Sequence, residues 1–533
     1  MEAKEKSNGF LGEDNPGLAL LEKSQQGLVH VVFSRVGIVV LLLLFQLFLV
    51  FAAFYWLNAY LPHFVIFTTV FTAFMGLYLL NTDMDPSAKI TWLLVILLMP
   101  AVGAPLYCYT RSSLGTRILK KRLQNLVEST EDSIPQNQDV LARLRVENPG
   151  AAALAHYLHR TGCFPVYDHT EVKYYPLGED KWAVLLEALQ QAEHFIFLEY
   201  FIIDEGLMWG RVLEILAEKA KAGVDVRVMY DGTCEFSTLP HDYPRRLQAL
   251  GIRCKMFAPM TPFVSTHYNY RDHRKIAVID GHTAFTGGVN LADEYINRRP
   301  RFGHWKDTAI RLRGEAVPSF TLMFLQMWGV DEKELELERF LSYPTRAPEQ
   351  TRGYVLPYGD CPLDNDKVGE RVYMDILNRA QDYVYIMSPY LILDGEMETA
   401  LKFAAERGVD VRLVLPGVPD KKMPWALAKT HYSSLLASGV KIYEYSPGFV
   451  HAKVFVADDR EAVVGTINLD YRSLYHHFEC AAFLCDTPCI ADIRADAEAT
   501  MARSAPVEKD FMEHEKLSIK LMGFLMKAIA PLM

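Results

Sequence analysis

The residues best able to do chemistry fall in two copies of one pattern. His273-Arg-Lys275, an apolar run to Asp280, then Gly287-Gly288 and Asn290 recur as His451-Ala-Lys453, Asp458, Gly465-Thr466 and Asn468. In both copies the lysine, acid, glycine and asparagine follow the histidine at 2, 7, 14 and 17 residues. One H-x-K means little, since His and Lys share many strand faces for no reason, but two identical five-point sets in one chain carry weight. The chemistry they suit is attack on phosphorus. One neutral imidazole can serve as nucleophile while the second, brought to the same cleft by duplication, hands a proton to the leaving alkoxide. Charge builds on the phosphoryl oxygens in the transition state, and Lys275, Lys453, Asn290 and Asn468 are donors suited to meet it. No nucleotide-binding loop or acidic metal cage accompanies the set, so the expectation is of no metal and no cofactor. An acid follows each motif on the next apolar strand, and Asp307 behind His273 and Glu479 behind His451 are the expected orienters. Asp280 and Asp458 lie an odd 7 residues from their histidines, so on an ideal strand they face the other way and read as turn acids more than chemical groups.

Such groups need a scaffold built twice, and the chain carries an internal duplication. A helix pattern over Leu185–Ala192 leads into an apolar strand from His194 to Ile203, and Met374–Ala380 leads likewise into Tyr383–Ile392. Gly223–Met229 is matched by Gly408–Val414, and Leu250–Phe257 by Ser438–Tyr445. Each time a glycine closes a helix and an apolar strand follows. The pattern predicts an α/β fold of duplicated sandwich halves on a mixed sheet, largely parallel in its core. The halves fall at 171–345 and 346–515, joined near Arg346–Asp366, with a polar, helix-prone connector at 111–170 ahead of them. Pro259–Arg271 is an insertion in the first half alone.

At 533 residues the chain exceeds one compact core. Half of it is apolar, and three uncharged runs at 36–57, 62–80 and 90–109 predict a transmembrane region over 36–110 with two to three helices. Arg111, Arg117, Lys120, Lys121 and Arg122 follow the third run, which puts what comes next in the cytoplasm. Residues 1–35 read as a loosely ordered tail rather than a signal peptide. The net charge of −10 leans against nucleic acid. Eight scattered cysteines suggest reduced thiols. Residues 516–533 form an amphipathic terminal helix pattern with Lys516, Lys520 and Lys527 on one narrow arc, suited to docking on its own domain or to lying on anionic lipid.

The doubled H-x-K-x-x-x-x-D motif with its glycine and asparagine resembles the phospholipase D superfamily. Phe197–Ile203, Asp272–Ile276, Gly465–Ser473 and the closing Ala530-Pro-Leu532, behind N-terminal apolar segments, resemble bacterial cardiolipin synthases over nearly the whole chain from about residue 36. The resemblance implies two phospholipase D-like halves after a transmembrane region, in a multi-pass protein of the bacterial plasma membrane with a cytoplasmic catalytic part. It implies a catalytic set of His273, Lys275, Asp280, His451, Lys453 and Asp458. The implied reaction turns two phosphatidylglycerols into cardiolipin and glycerol through a phosphatidyl-histidine at His273, with His451 as acid and then base. Phosphatidylglycerol and membrane lipid are the implied partners, without nucleic acid or nucleotide, and protein partners stay open. The alternatives are a phospholipase D that releases phosphatidic acid, or another phosphatidyltransferase of the superfamily.

Overall fold

The computed structural model describes residues 61–532 apart from 100–102, 112–113, 260–269, 333, 349 and 365, together with Leu44 and Phe48. In the first half the strands are β1 (Thr170–Tyr175), β2 (Phe195–Tyr200), β3 (Asp225–Asp231), β4 (Arg253–Phe257), β5 (Arg271–Asp272), β6 (Lys275–Ile279), β7 (Thr283–Gly287), β8 (His304–Lys306) and β9 (Ala309–Gly314). The second half supplies β10 (Tyr354–Asp360), β11 (Tyr383–Met387), β12 (Asp410–Pro416), β13 (Lys441–Tyr445), β14 (Gly448–Val450), β15 (Val454–Ala457), β16 (Glu461–Gly465), β17 (His477–Cys485) and β18 (Ser504–Pro506). One sheet runs β1-β9-β7-β6-β2-β3-β4, and the other runs β10-β17-β16-β15-β11-β12-β13-β18, so the first seven positions of each match in order.

The mixed sheet is present, but its core is less parallel than the sequence pattern suggests. Only β2-β3-β4 and β11-β12-β13 pair in parallel, through helical crossovers, and the other pairings along the first seven positions of each sheet are antiparallel. The reason is local. β6 turns directly into β7 at Asp280 and Gly281, both left-handed (φ 50° and 67°), and β15 turns into β16 at Asp458 and Asp459 (φ 51° and 56°). Two consecutive left-handed residues make the tight hairpin that joins neighbouring antiparallel strands. Each turn acid also closes the far end of its sheet. Asp280 accepts the backbone N–H groups of Glu193, His194 and Phe195, each at 2.8 Å, and Asp458 accepts those of Gln381, Asp382 and Tyr383 at 2.7–2.9 Å.

Side-chain alternation assigns the two faces of each central strand. Phe195 and Phe197 of β2, with Tyr383, Tyr385 and Met387 of β11, enter one core shared by both sheets. Ile196, Leu198 and Tyr200 face a separate core on the first sheet's outer side, and Val384 and Ile386 face one on the second's. Helices Val317–Trp328 and Cys489–Ala502 fill the shared layer, where Phe324 stacks on Phe197 at 4.5 Å. The stretch read as a connector is better integrated than that, since helices Gln138–Glu147 and Pro149–Gly162 bury Val140, Leu144, Ala151 and Leu158 in the second half's outer core.

Two short parallel pairings stitch the halves together. β5 pairs with the start of β17, placing Arg271 beside His477 and Asp272 beside Phe478. β14 pairs with β8, placing Phe449 beside Trp305 and Val450 beside Lys306. Both crossings come immediately before a motif histidine.

Among the described residues no helix is long and apolar enough to cross a membrane. Of the three expected spans, 36–57 lies outside the described residues except for Leu44 and Phe48. The second falls on the helix Leu61–Leu80, whose first five side chains lie outside the described ones. The third is interrupted and becomes two helices, Pro86–Leu98 and Gly103–Arg111, with 100–102 outside the description. The terminal pattern is the helix Leu517–Ile529, docked through Gly523 against Ala426 and Thr430, with Leu517, Leu521, Phe524 and Leu525 exposed.

Replacing Asp458 by alanine strands the three backbone donors that lead into β11 at the far end of the second sheet. The expected loss is about 3 kcal/mol, the scale of hydrogen bonds to a charged acceptor. Urea denaturation checks it, and the activity of each folded molecule should be kept; an unchanged midpoint would contradict the turn role.

Candidate active site

The strand crossings bring the two imidazoles to one cleft between the sheets. The His273 N–H donates to Phe478 O at 2.9 Å and the His451 N–H to Lys306 O at 2.7 Å, so each motif backbone is clamped by the opposite half. Both histidines are buried. The acids behind them are exchanged relative to the sequence expectation. His273 Nδ1 lies 2.8 and 2.9 Å from the two oxygens of Glu479, and His451 Nδ1 lies 2.7 Å from Asp307 Oδ2. The physical cause is the crossing itself. β17, which pairs with β5, carries Glu479 two residues past His477, and β8, which pairs with β14, carries Lys306 next to Asp307. Proximity in sequence suggested Asp307 for His273, but the pairing of strands decides otherwise. Each acid fixes its imidazole with Nδ1 inward, which leaves Nε2 for a substrate.

The second bonds on the acids differ. Thr466 donates its hydroxyl to Glu479 Oε2, while Asp307 Oδ1 accepts from Thr308 N at 2.8 Å. Gly288 answers to Thr466 and must be glycine, because a Cβ there would sit 2.0 Å from Asp307 Oδ1 and 2.8 Å from His451 O. Rings wall both imidazoles. Phe201 and His477 lie 4.9 and 5.3 Å from His273, and Tyr295 and Trp305 lie 5.3 and 5.4 Å from His451. None of these four rings was singled out from sequence as a site residue; only the repeat offsets of His477 and Trp305, each two before the acid, hinted at them.

The remaining expected residues fall out as follows. Lys275 Nζ donates to His273 O at 2.6 Å, and Lys453 Nζ lies against His451 O and 2.9 Å from His451 Nδ1. Asn290 is an orienting residue in this arrangement, since its Oδ1 accepts from Ile202 N at 3.0 Å and its Nδ2 donates to the Tyr295 hydroxyl at 2.8 Å. Asn468 is buried beside Asp470 with its Oδ1 unpartnered. Asp280 and Asp458, placed in the catalytic set by the motif, are not at the imidazoles. They close the opposite end of the sheet, about 20 Å away along seven residues of strand, and their carboxylates are spent on backbone donors.

Two imidazoles and two lysine ammoniums share this buried centre, and each has a lowered proton affinity. Burial, then Lys275 and Lys453, pushes the His273 imidazole well below its ordinary value. Burial and Lys453 lower His451 to about 4 against the pull of Asp307. Burial brings Lys275 down to about 8 and Lys453 to about 7. Burial opposes ionisation of Asp307, yet His451 and Lys453 hold it below the usual carboxylate range. Both imidazoles are therefore neutral near pH 7, and an anion entering between them would restore their proton affinity. His273, His477 and Glu479 also offer ligand atoms within 4.8 Å of one another, enough for a transition-metal ion, although phosphoryl transfer between paired imidazoles requires none.

The depressed imidazoles have a stability consequence. Between about pH 4 and the ordinary histidine value of about 6.5 the unfolded chain binds more protons than the folded one, so stability rises with pH through that window. For His451 the share is at most about 3 kcal/mol, at 1.36 kcal/mol per pKa unit. His451→Gln should flatten the rise between pH 4.5 and 7 in denaturant midpoints, and an undiminished rise would contradict the buried neutral imidazole.

Comparison with known proteins agrees with this geometry. Residues 185–300 and 373–501 match the family model described as cardiolipin synthase, PLD-like domain, one segment per sheet. A Streptococcus mutans protein described only as uncharacterized is 56% identical over 86% of this chain and 99% of its own length. The cardiolipin synthase of Alkalihalophilus pseudofirmus is 32% identical over 91% of this chain and 98% of its own length, and that of a Geobacillus strain is 33% identical over 90% and 95%. The crystal structure of phosphatidylserine synthase from Haemophilus influenzae shares the fold, with a TM-score of 0.56 at 14% identity over 72% of this chain and 98% of that one. With two matched segments carrying the paired histidines and relatives aligned almost end to end, the chain belongs to the bacterial cardiolipin synthase family of the phospholipase D superfamily and is a phosphatidyltransferase.

Proposed function

We propose that the protein makes cardiolipin by moving the phosphatidyl group of one phosphatidylglycerol to the terminal hydroxyl of a second, releasing glycerol. The observation that carries this reading is the pair of buried imidazoles, each with Nδ1 held by an acid and Nε2 left for substrate. His273 attacks phosphorus, the bond to the departing glycerol oxygen breaks, and that oxygen takes its proton from His451. The second lipid's hydroxyl then gives its proton to His451 and attacks phosphorus, and the phosphorus–nitrogen bond breaks to restore His273. One phosphodiester replaces another, so no nucleotide is consumed.

The division of labour draws support from the asymmetry of the two partners. Glu479 faces His273 Nδ1 with both oxygens, which raises the nucleophilicity of Nε2. The Lys453 ammonium stands 2.9 Å from His451 Nδ1, which makes a protonated His451 the readier proton donor. The phosphodiester anion supplies the counter-charge that lets His451 hold a proton at neutral pH.

The competing reaction is attack by water, and a mouth set against a bilayer would limit it. Exposed Phe67, Val70, Phe74 and Leu98 of the N-terminal helices and Leu521 and Phe524 of the terminal helix support membrane apposition. The two regions are joined by the Thr91 hydroxyl donating to Ala528 O at 2.9 Å, and Ala530 packs with Tyr471 near Asn468. Tyr390, Leu415, Trp425 and Phe449 line an apolar surface that begins two residues from His451.

Protein supplied with phosphatidylglycerol vesicles alone should yield cardiolipin and glycerol in equal amounts. His273→Ala or His451→Ala should lower the rate by about a thousandfold or more. Phosphatidic acid as the main product would identify a hydrolase instead. Leu521→Asp combined with Phe524→Asp should cut vesicle flotation and raise KM for vesicle lipid several-fold while leaving turnover of dispersed short-chain lipid; unchanged flotation would count against the membrane-facing helix.

A further inference from the structure

The two halves share a backbone plan but not the flanks of their imidazoles. Four residues past each asparagine, and two before each acid, the first half has Glu294 and Trp305 where the second has Arg472 and His477. Strand register supports the match, because Trp305 pairs with Phe449, two before His451, and His477 pairs with Arg271, two before His273. One flank thus carries an acid and an indole, and the other a guanidinium and an imidazole.

Neither member of the second pair is satisfied by the protein. Arg472 is half-buried and its guanidinium makes no hydrogen bond or ion pair among the described residues. The acids near it are engaged elsewhere. Asp470 accepts from Ser473 N at 2.9 Å, and Asp231 accepts from Thr233 N and Asp272 N and faces Arg271 at 3.6 Å. His477 is buried with both ring nitrogens unpartnered, its Nδ1 standing 3.6 Å from Glu479 Oε1, beyond hydrogen-bond reach. Burial holds this imidazole down at about 3, so it is a neutral donor and acceptor. Unsatisfied buried polar groups of this kind cost stability and are kept where a ligand completes them.

We infer that Arg472 and His477 form a second phosphodiester-binding subsite, which holds the phosphate of the acceptor lipid. The inference rests on the proposed function. Cardiolipin carries two phosphates one glycerol apart, and the phosphorus in transfer occupies the space between His273 and His451. The other phosphate must then lie within a glycerol's reach of that space and meet a cation. Arg472 sits on the helix Tyr471–Tyr475, within electrostatic range of His477, of Arg271 and Asp231 in one half and of Tyr390 in the other. A guanidinium can grip two phosphate oxygens at once, and the neighbouring imidazole N–H can hold a third. The Glu294 and Trp305 flank offers no such pair, which gives the duplicated cleft a direction.

The full chain in phosphatidylglycerol vesicles is given radiolabelled glycerol, and cardiolipin formation and glycerol exchange are followed together. Exchange uses the same phosphatidyl-enzyme with an acceptor that has no phosphate. Arg472→Gln, and separately His477→Phe, which keeps a ring against His273 and Phe201, should lower the ratio of cardiolipin to exchanged lipid by about tenfold or more, and Arg472→Lys by less. A ratio that stays constant in both variants, with the two rates falling together or not at all, overturns the subsite. Unmutated protein that exchanges glycerol but makes no cardiolipin overturns the proposed function itself and the subsite with it.

Discussion

The constraint on which the molecule depends is that each imidazole borrows its carboxylate from the opposite half. Glu479 holds His273, and Asp307 holds His451. Neither half could orient its own histidine alone, so the two sheets must meet face to face before there is a site. The β5–β17 and β14–β8 pairings bring this about, and the shared aromatic and aliphatic layer between the sheets keeps it rigid. Burial of that layer supplies the driving force, while the short crossings supply the register.

The same burial that holds the site together makes it intolerant of charge. Two lysines and two histidines stand in a dry cleft, and desolvation is the leading reason that all four have lowered proton affinity. In the proposed function a phosphodiester bound between them would relieve mutual repulsion among the cations and prepare one imidazole to carry a proton, so recognition of the substrate and activation of the acid would be one electrostatic event.

Symmetry explains how the cleft arose, and departures from it explain how the roles separate. Gly288 against Thr466 lets a short aspartate approach from one side and gives a longer glutamate a hydroxyl partner on the other. Lys453 touches the ring of its histidine and Lys275 does not. In the proposed function, small differences of this kind at equivalent positions separate the nucleophile from the acid–base residue.

What the sequence determined by itself is whatever is written in short-range pattern. The doubled motif, the alternating faces of β2 and β11, and the turn role of Asp280 and Asp458 all follow from offsets of a few residues, because strand pleat and hairpin geometry are local. The antiparallel share of each sheet is hidden in the sequence, because a helical crossover leaves a longer periodic pattern than the tight hairpin beside it. The pairing of acid with histidine was beyond such reading: it joins residues 206 and 144 positions apart and is decided by which strand crosses to which sheet. So was the amide of Asn290, spent on Ile202 and Tyr295, and so were the unsatisfied Arg472 and His477. Their surroundings exist only once two distant halves have packed, and packing of that range leaves no periodic trace in the chain.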